Sequence, residues 1–169
     1  GKSGMALHIN DDKNFLQIEK CDFFQNNFTI SFYIKLFSCS VSNRRIIDFG
    51  TLSNRENVII SYQLTNEYEC ELNAQVNFQN TSNIFKVENI SLNEWHYMAF
   101  ILEINAYKFY LNNKLIELGN ANKPMGSVER KACFIGKSNQ KDEFMNGVID
   151  ELKVYNKALN ELELLIDKN

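Results

Sequence analysis

Between residues 28 and 36 the chain alternates, with Phe28, Ile30, Phe32, Ile34 and Leu36 on one side of an extended backbone and Thr29, Ser31, Tyr33 and Lys35 on the other. That pattern predicts a strand with one face in a core and one facing water or a ligand. Residues 45–50 predict the next strand and residues 57–62 its successor, with the polar stretch 51–56 as the turn between them. From Tyr68 to Phe78 a looser alternation marks a half-exposed strand or hairpin. Trp95 to Leu102 is apolar on both sides, as a central strand covered on each face would be. Tyr107 to Leu111 runs into Asn112 and Asn113 and then Lys114, Leu115 and Ile116. Asn tolerates positive φ, so the pair predicts a two-residue hairpin turn of the primed type. The chain should close with a helix capped by Asn160, with Glu163 reaching back to its amide and Leu159 stapled to Leu164. Leu162, Leu165 and Ile166 would be its core stripe.

Strand signals recur at short spacing, and no linker, charge block or internal repeat divides the chain. The expectation is one all-β domain over residues 1–169, a two-sheet antiparallel β-sandwich with a short C-terminal helix. At 169 residues it is long enough to fold without a metal or a disulfide framework. Cys21, Cys39, Cys70 and Cys133 show no C-x-x-C spacing and no paired histidines, which argues against zinc. They read as buried thiols or as one or two disulfides, and the sequence does not choose among the pairings.

The net charge of -3, with no basic run beyond Arg44-Arg45, leaves no footprint for a phosphate backbone, so nucleic acid is not an expected partner. No window approaches the run of about 20 apolar residues that would span a bilayer, and no charged-then-apolar signal segment opens the chain. The chain reads as a soluble piece of a longer precursor or multidomain protein.

A hydrolase on a sandwich needs two carboxylates projecting from one strand face. Glu69-Cys70-Glu71 has that spacing but no third acid and no aromatic platform, and it reads as a solvated strand face. His8 and His96 are the only histidines, and neither has a nucleophile in a turn motif such as G-x-S-x-G. No glycine-rich phosphate loop is present. The chain is therefore not expected to be an enzyme. Oxygen-ligand binding of Ca²⁺ could draw on loops at residues 10–14, 55–57 and 138–143, although Asx-rich turns are also common for conformational reasons alone.

Several of these stretches, taken in order, carry a resemblance. Residues 1–9 leading to Phe15-Leu16-Gln17-Ile18, then residues 28–35 and 45–50, resemble the opening of the laminin-G-like, concanavalin A-like jelly roll family. Trp95-His96, residues 110–115, Phe134-Ile135-Gly136 and residues 144–159 continue it in the right order. The resemblance implies two antiparallel sheets packed face to face, one curved into a concave surface. It also implies an extracellular, usually non-catalytic module that binds glycans, glycoproteins or other proteins. A similar jelly roll forms half of the receptor-binding region of clostridial neurotoxins, and another forms the pentraxins.

In pentraxins an acid-Asn pair before a strand and a second group of acids and amides hold calcium at the ligand face. The matching positions are Glu56 and Asn57, with Asn139, Gln140 and Asp142. Lys137 and Lys141 interleave the second group and depart from the pattern, since they place positive charge where a dication would sit. The resemblance thus offers Ca²⁺ at those residues or no cofactor at all.

The expected function is a recognition module of a secreted or surface protein that binds carbohydrate or glycoprotein through its loops and the outward face of one sheet. Tyr33, with Lys35, Thr29 and Ser31 beside it, would supply an aromatic platform and hydrogen bonds if its sheet is the concave one. The alternatives are a structural domain whose partner is another protein or another domain of a larger extracellular protein or toxin, and a glycoside hydrolase or lyase of the same fold.

Overall fold

The computed structural model describes residues 4–10, 14–22, 24, 27–51, 56–65, 69–78, 81–104, 106–120, 128–140 and 144–168. The strands are β1 (Leu7–Ile9), β2 (Leu16–Ile18), β3 (Phe28–Leu36), β4 (Arg44–Gly50), β5 (Val58–Leu64), β6 (Cys70–Phe78), β7 (Thr81–Ile90), β8 (His96–Glu103), β9 (Ala106–Leu111), β10 (Lys114–Asn120), β11 (Ala132–Ile135) and β12 (Gly147–Tyr155), followed by helix α1 (Glu161–Lys168). They form two six-stranded sheets, ordered β1-β12-β3-β8-β9-β10 and β2-β11-β4-β5-β6-β7, and every pairing is antiparallel. The expected antiparallel sandwich with its C-terminal helix is what the chain forms.

The alternation in β3 does what it predicts on its apolar side. Phe28, Ile30, Phe32, Ile34 and Leu36 all enter the core between the sheets, opposite Ile47, Phe49, Val58, Ile60 and Tyr62 of the second sheet. At the hairpin between β9 and β10, Asn112 and Asn113 take φ of 51° and 69°, the left-handed pair that a primed turn requires. Gly136 follows β11 at φ +87°, where an added Cβ would lie 2.4 Å from Ile9. Only glycine lets the chain turn there into the loop of residues 137–140. The four cysteines form two disulfides, Cys21–Cys133 and Cys39–Cys70. β7 had no counterpart in the strand pattern. It pairs with β6 along its length but carries exposed residues through the segment and a register shift near Cys70.

Strand β8 is covered on both faces, as its sequence predicts. Met98, Phe100 and Leu102 point to the main core, while Tyr97, Ala99 and Ile101 join Tyr33, Tyr110, Leu159 and Leu164 in a second cluster under α1. The helix begins as expected. Glu163 N donates to Asn160 Oδ1 at 3.0 Å, Asn160 N donates to Glu163 Oε2 at 2.9 Å, and Leu159 and Leu164 are both buried. The expected core stripe is corrected, because Leu162, Leu165 and Ile166 are 68%, 48% and 69% exposed.

The helix seats instead through Leu164, Asp167 and Lys168, three positions that share a face at spacings of three and four residues. Its seat is a surface of hydroxyls rather than an apolar stripe. Ser31 and Tyr97 donate to Asp167 Oδ2 at 2.5 and 2.7 Å, and Tyr155 donates to Oδ1 at 2.5 Å. Lys153 ion-pairs with the same carboxylate at 3.0 Å, and Tyr33 donates to the Lys168 carbonyl at 2.7 Å. Burial and the Asp167 carboxylate push the Tyr155 phenol up to about 12, so it stays a donor.

Two outcomes follow from this seating. Asn160→Ala removes the capping acceptor and should lower stability by about 1 kcal/mol, read as a shift of the denaturation midpoint. Burial alone would raise the Asp167 carboxyl, but the hydrogen bonds from Ser31, Tyr155, Tyr97 and Lys153 outweigh it and hold it below the usual carboxylate range. A depressed folded pKa gives stability that is whole above the unfolded value, near about 3.9, and is lost as pH falls through the folded one. Asp167→Asn should thus cost on the order of 2 kcal/mol at neutral pH. In denaturant titrations its gap to the wild type should narrow once pH drops below about 3.9; an equal gap in acid would show that the carboxylate charge is not what holds the helix.

Candidate functional site

Each sheet has an outward face, and the two are dealt with differently. On the first sheet Thr29, Ser31 and Tyr33 lie beneath α1 and the segment leading into it, at 0%, 0% and 6% exposure. Thr29 Oγ1 donates to the Lys157 carbonyl at 2.9 Å and accepts from Leu159 N at 2.9 Å. The expectation of an open platform on this face is therefore corrected: its polar groups are spent on the chain's own C-terminus. Lys35, the last of the four expected residues, is half-buried on the same strand.

The outward face of the second sheet carries side chains that alternate away from the core. Strand register places Gln17, Phe134, Asp48, Ile59, Gln75 and Ile84 in one row across it, and Arg45, Ser61, Asn73 and Lys86 in another. Although they point away from the core, Ser61, Glu71 and Asn73 are only 2%, 3% and 7% exposed, so this face is recessed and polar. At one end of it Lys86 Nζ holds the Glu71 carboxylate at 3.0 and 3.2 Å, and Gln63 Nε2 donates to it at 3.4 Å. Nearby, Gln75 Nε2 donates to Asn77 Oδ1 at 2.8 Å and to Ser82 Oγ at 3.0 Å.

Asp48 anchors the other end. Its Oδ1 accepts from Asn57 Nδ2 at 3.0 Å, and its Oδ2 accepts from Asn139 N at 3.0 Å and from Ser138 Oγ at 3.3 Å. Gln140 N in turn donates to Ser138 Oγ at 2.8 Å. Burial raises the Asp48 carboxyl above its ordinary value, and the Asn139 amide, Arg45, Asn57 and Ser138 offset that only in part. Gly50 makes the cluster feasible, since a Cβ there would lie 2.1 Å from Asn57 Cγ. Asn139 also ties the loop to β11 by donating Nδ2 to the Ala132 carbonyl at 3.2 Å.

Four of the five residues matched to a calcium site are thus placed. Asn57 and Asn139 meet at Asp48, Gln140 is linked through Ser138, and Glu56 lies beside them with its carbonyl accepting from Arg130 Nε at 3.0 Å. Arg130 is itself fully buried, and burial pushes it down to about 10. Asp142 falls outside the described residues. Among the described residues no three acids, histidines or cysteines gather as a metal-binding group, and the Asp48 oxygens are taken up by the protein's own donors. Asp48 is the residue that sequence reasoning passed over. Its signal was present, because an acid set within Ile46-Ile47-Asp48-Phe49 would be buried and would need partners.

Beside this cluster lies an aromatic corner. Phe15 meets Phe134 edge-on at 5.9 Å and Phe144 at 6.2 Å, and Lys137 Nζ sits 4.3 Å from the Phe15 ring centre and 4.4 Å from that of Phe134.

Among solved structures, domain 4 of AbnA, an extracellular arabinanase from Geobacillus stearothermophilus in complex with arabinotriose, is similar at a TM-score of 0.76 and 19% identity, covering 100% of this chain and 79% of that one. The CBM40 of the Ruminococcus gnavus IT-sialidase, bound to alpha2,3 sialyllactose, is similar at 0.72 and 14% identity, covering 98% and 97%. A heptameric SAP-like pentraxin from Limulus polyphemus is similar at 0.70 and 15% identity, covering 93% and 78%. No curated protein sequence matches the chain. At such identities these likenesses speak for the fold alone. The family model described as the concanavalin A-like lectin/glucanases superfamily matches residues 10–164, and the chain belongs to that superfamily.

Proposed function

We propose that this domain is a non-catalytic recognition module of a secreted or surface protein, and that it binds carbohydrate or glycoprotein across the recessed face of its second sheet. The observation that carries this reading is a polar sheet face that no described helix covers, on which Gln75 is half-buried and Lys86 exposed above the buried Ser61, Glu71 and Asn73. Sugar hydroxyls need fixed donors and acceptors, and a recessed row of amides, a hydroxyl and the Glu71–Lys86 pair supplies them. The bound arabinotriose and sialyllactose of similar domains support the ligand class.

Catalysis is not part of this reading, because the Glu71 carboxylate is held by Lys86 and Gln63 rather than poised beside a second acid. The two disulfides fit an oxidising, extracellular setting. Calcium would enter only if the residues around Asp48 released their hydrogen bonds to it. A second reading, a partner that is another protein or domain, is favoured by the exposed Leu162, Leu165 and Ile166 on α1, on the opposite side of the sandwich.

A glycan array followed by calorimetry tests the proposal. Gln75→Ala should weaken glycan binding by about tenfold or more with little change in melting temperature, whereas Leu162→Glu should leave it unchanged. Loss of binding in Leu162→Glu alone would transfer the function to α1, and turnover of a bound polysaccharide that disappears in Glu71→Gln would overturn the non-catalytic reading.

A further inference from the structure

The aromatic corner holds a cation in an unusual state. Lys137 is half-buried, and its ammonium lies over two rings at once. Among the described residues it has no carboxylate within ion-pairing distance, in contrast to Lys20, Lys86, Lys108, Lys131, Lys153 and Lys157, which all do. Cation–π contact fixes the ammonium in place but leaves its charge uncancelled. A lysine already fixed in this way has less rotamer freedom left to lose when an anion binds.

Its position connects it to the recessed face. Phe134, one of its two rings, lies in the same cross-strand row as Asp48 and Ile59. Asp48 is 1% exposed, with its oxygens engaged by Asn57, Ser138 and Asn139, so among the described residues that form this corner the accessible charge is that of Lys137. Phe15, 39% exposed, extends an apolar shelf beside it. An apolar shelf next to an uncancelled cation matches a sugar that offers a C–H face and an anionic substituent together.

We propose that Lys137 is the anion-reading group of this face, and that the glycan it selects carries a carboxylate or sulfate and is bound without a metal ion. The proposal rests on the glycan-binding reading above and adds to it the charge of the ligand and the residue that reads it.

The test compares alpha2,3 sialyllactose, a sulfated lactose and plain lactose by calorimetry, in chelator and in added calcium. The acidic sugars should bind about tenfold more tightly than lactose, equally well with and without calcium, and less tightly as salt is raised. Lys137→Met should bring the acidic sugars down to the lactose value while leaving lactose itself unchanged, and Lys137→Arg should keep the preference. The relative strength of the carboxylated and sulfated sugars identifies which anion is read. A preference that survives Lys137→Met, or one that appears only with calcium, overturns the proposal. If Gln75→Ala weakens binding of every sugar while Lys137→Met leaves their ratio intact, this inference fails and the glycan-binding reading stands. If none of these sugars nor any other glycan binds, both fall.

Discussion

Two strands buried on both faces set the terms for this molecule. β3 and β8 lie at the centre of the first sheet, with one side in the sandwich core and the other beneath α1. Covering that second side is a polar problem, because Thr29 and Ser31 of β3 are fully buried there and must find partners. The partners come from the far end of the chain: the Lys157 carbonyl, the Leu159 amide and the Asp167 carboxylate. Once the C-terminal segment is committed to this task, the first sheet has little outward surface left at its centre.

That commitment also explains the exposed side of α1. A helix anchored through a carboxylate in a nest of hydroxyls need not present its apolar residues inward. Leu164 alone in the helix is buried, and the hydrophobic residues on either side of it face out. The amphipathic rule orients a helix by its apolar stripe. Here hydrogen bonds from Ser31, Tyr97 and Tyr155, with the Lys153 ion pair, orient it instead.

What could be read in advance divides along the same line. Alternation in β3, the two-sided apolar run of β8, the Asn112-Asn113 turn and the Asn160 cap are local features, and the sequence displays them directly. The burial of Thr29, Ser31 and Tyr33 was illegible, since it depends on Asp167 and Lys168, more than a hundred residues away, and a hydroxyl facing a hidden carboxylate looks the same in sequence as one facing water. β7 escaped for a different reason: Lys86 and Glu88 face outward and Asn89 takes φ of 61°, so apolar spacing is broken where the strand shifts register. Of the candidate site, Asn57, Asn139 and Gln140 were singled out through resemblance, while the carboxylate that gathers them was not. Asp48 stands alone among apolar neighbours, which marks an acid in need of partners but does not say which residues supply them.

At the Asp48 end of this face the carboxylate is committed to the protein's own donors. Calcium coordination needs several oxygens whose lone pairs are turned toward a common point. Here the oxygens of Asp48 are turned toward an amide side chain, a hydroxyl and a backbone amide, all donors, so this carboxylate organises a loop. Among the described residues, a positive charge lies one step outward, on Lys137. Its ammonium is held by rings rather than by a counter-ion, which keeps its charge available without letting the side chain wander. A positively charged rim supplied by the protein does electrostatically what a bound dication would do, attracting an anionic group, but it makes one contact in place of shared coordination. On the proposed reading, the half-buried Gln75 would contribute selectivity and the lysine a preference for charge.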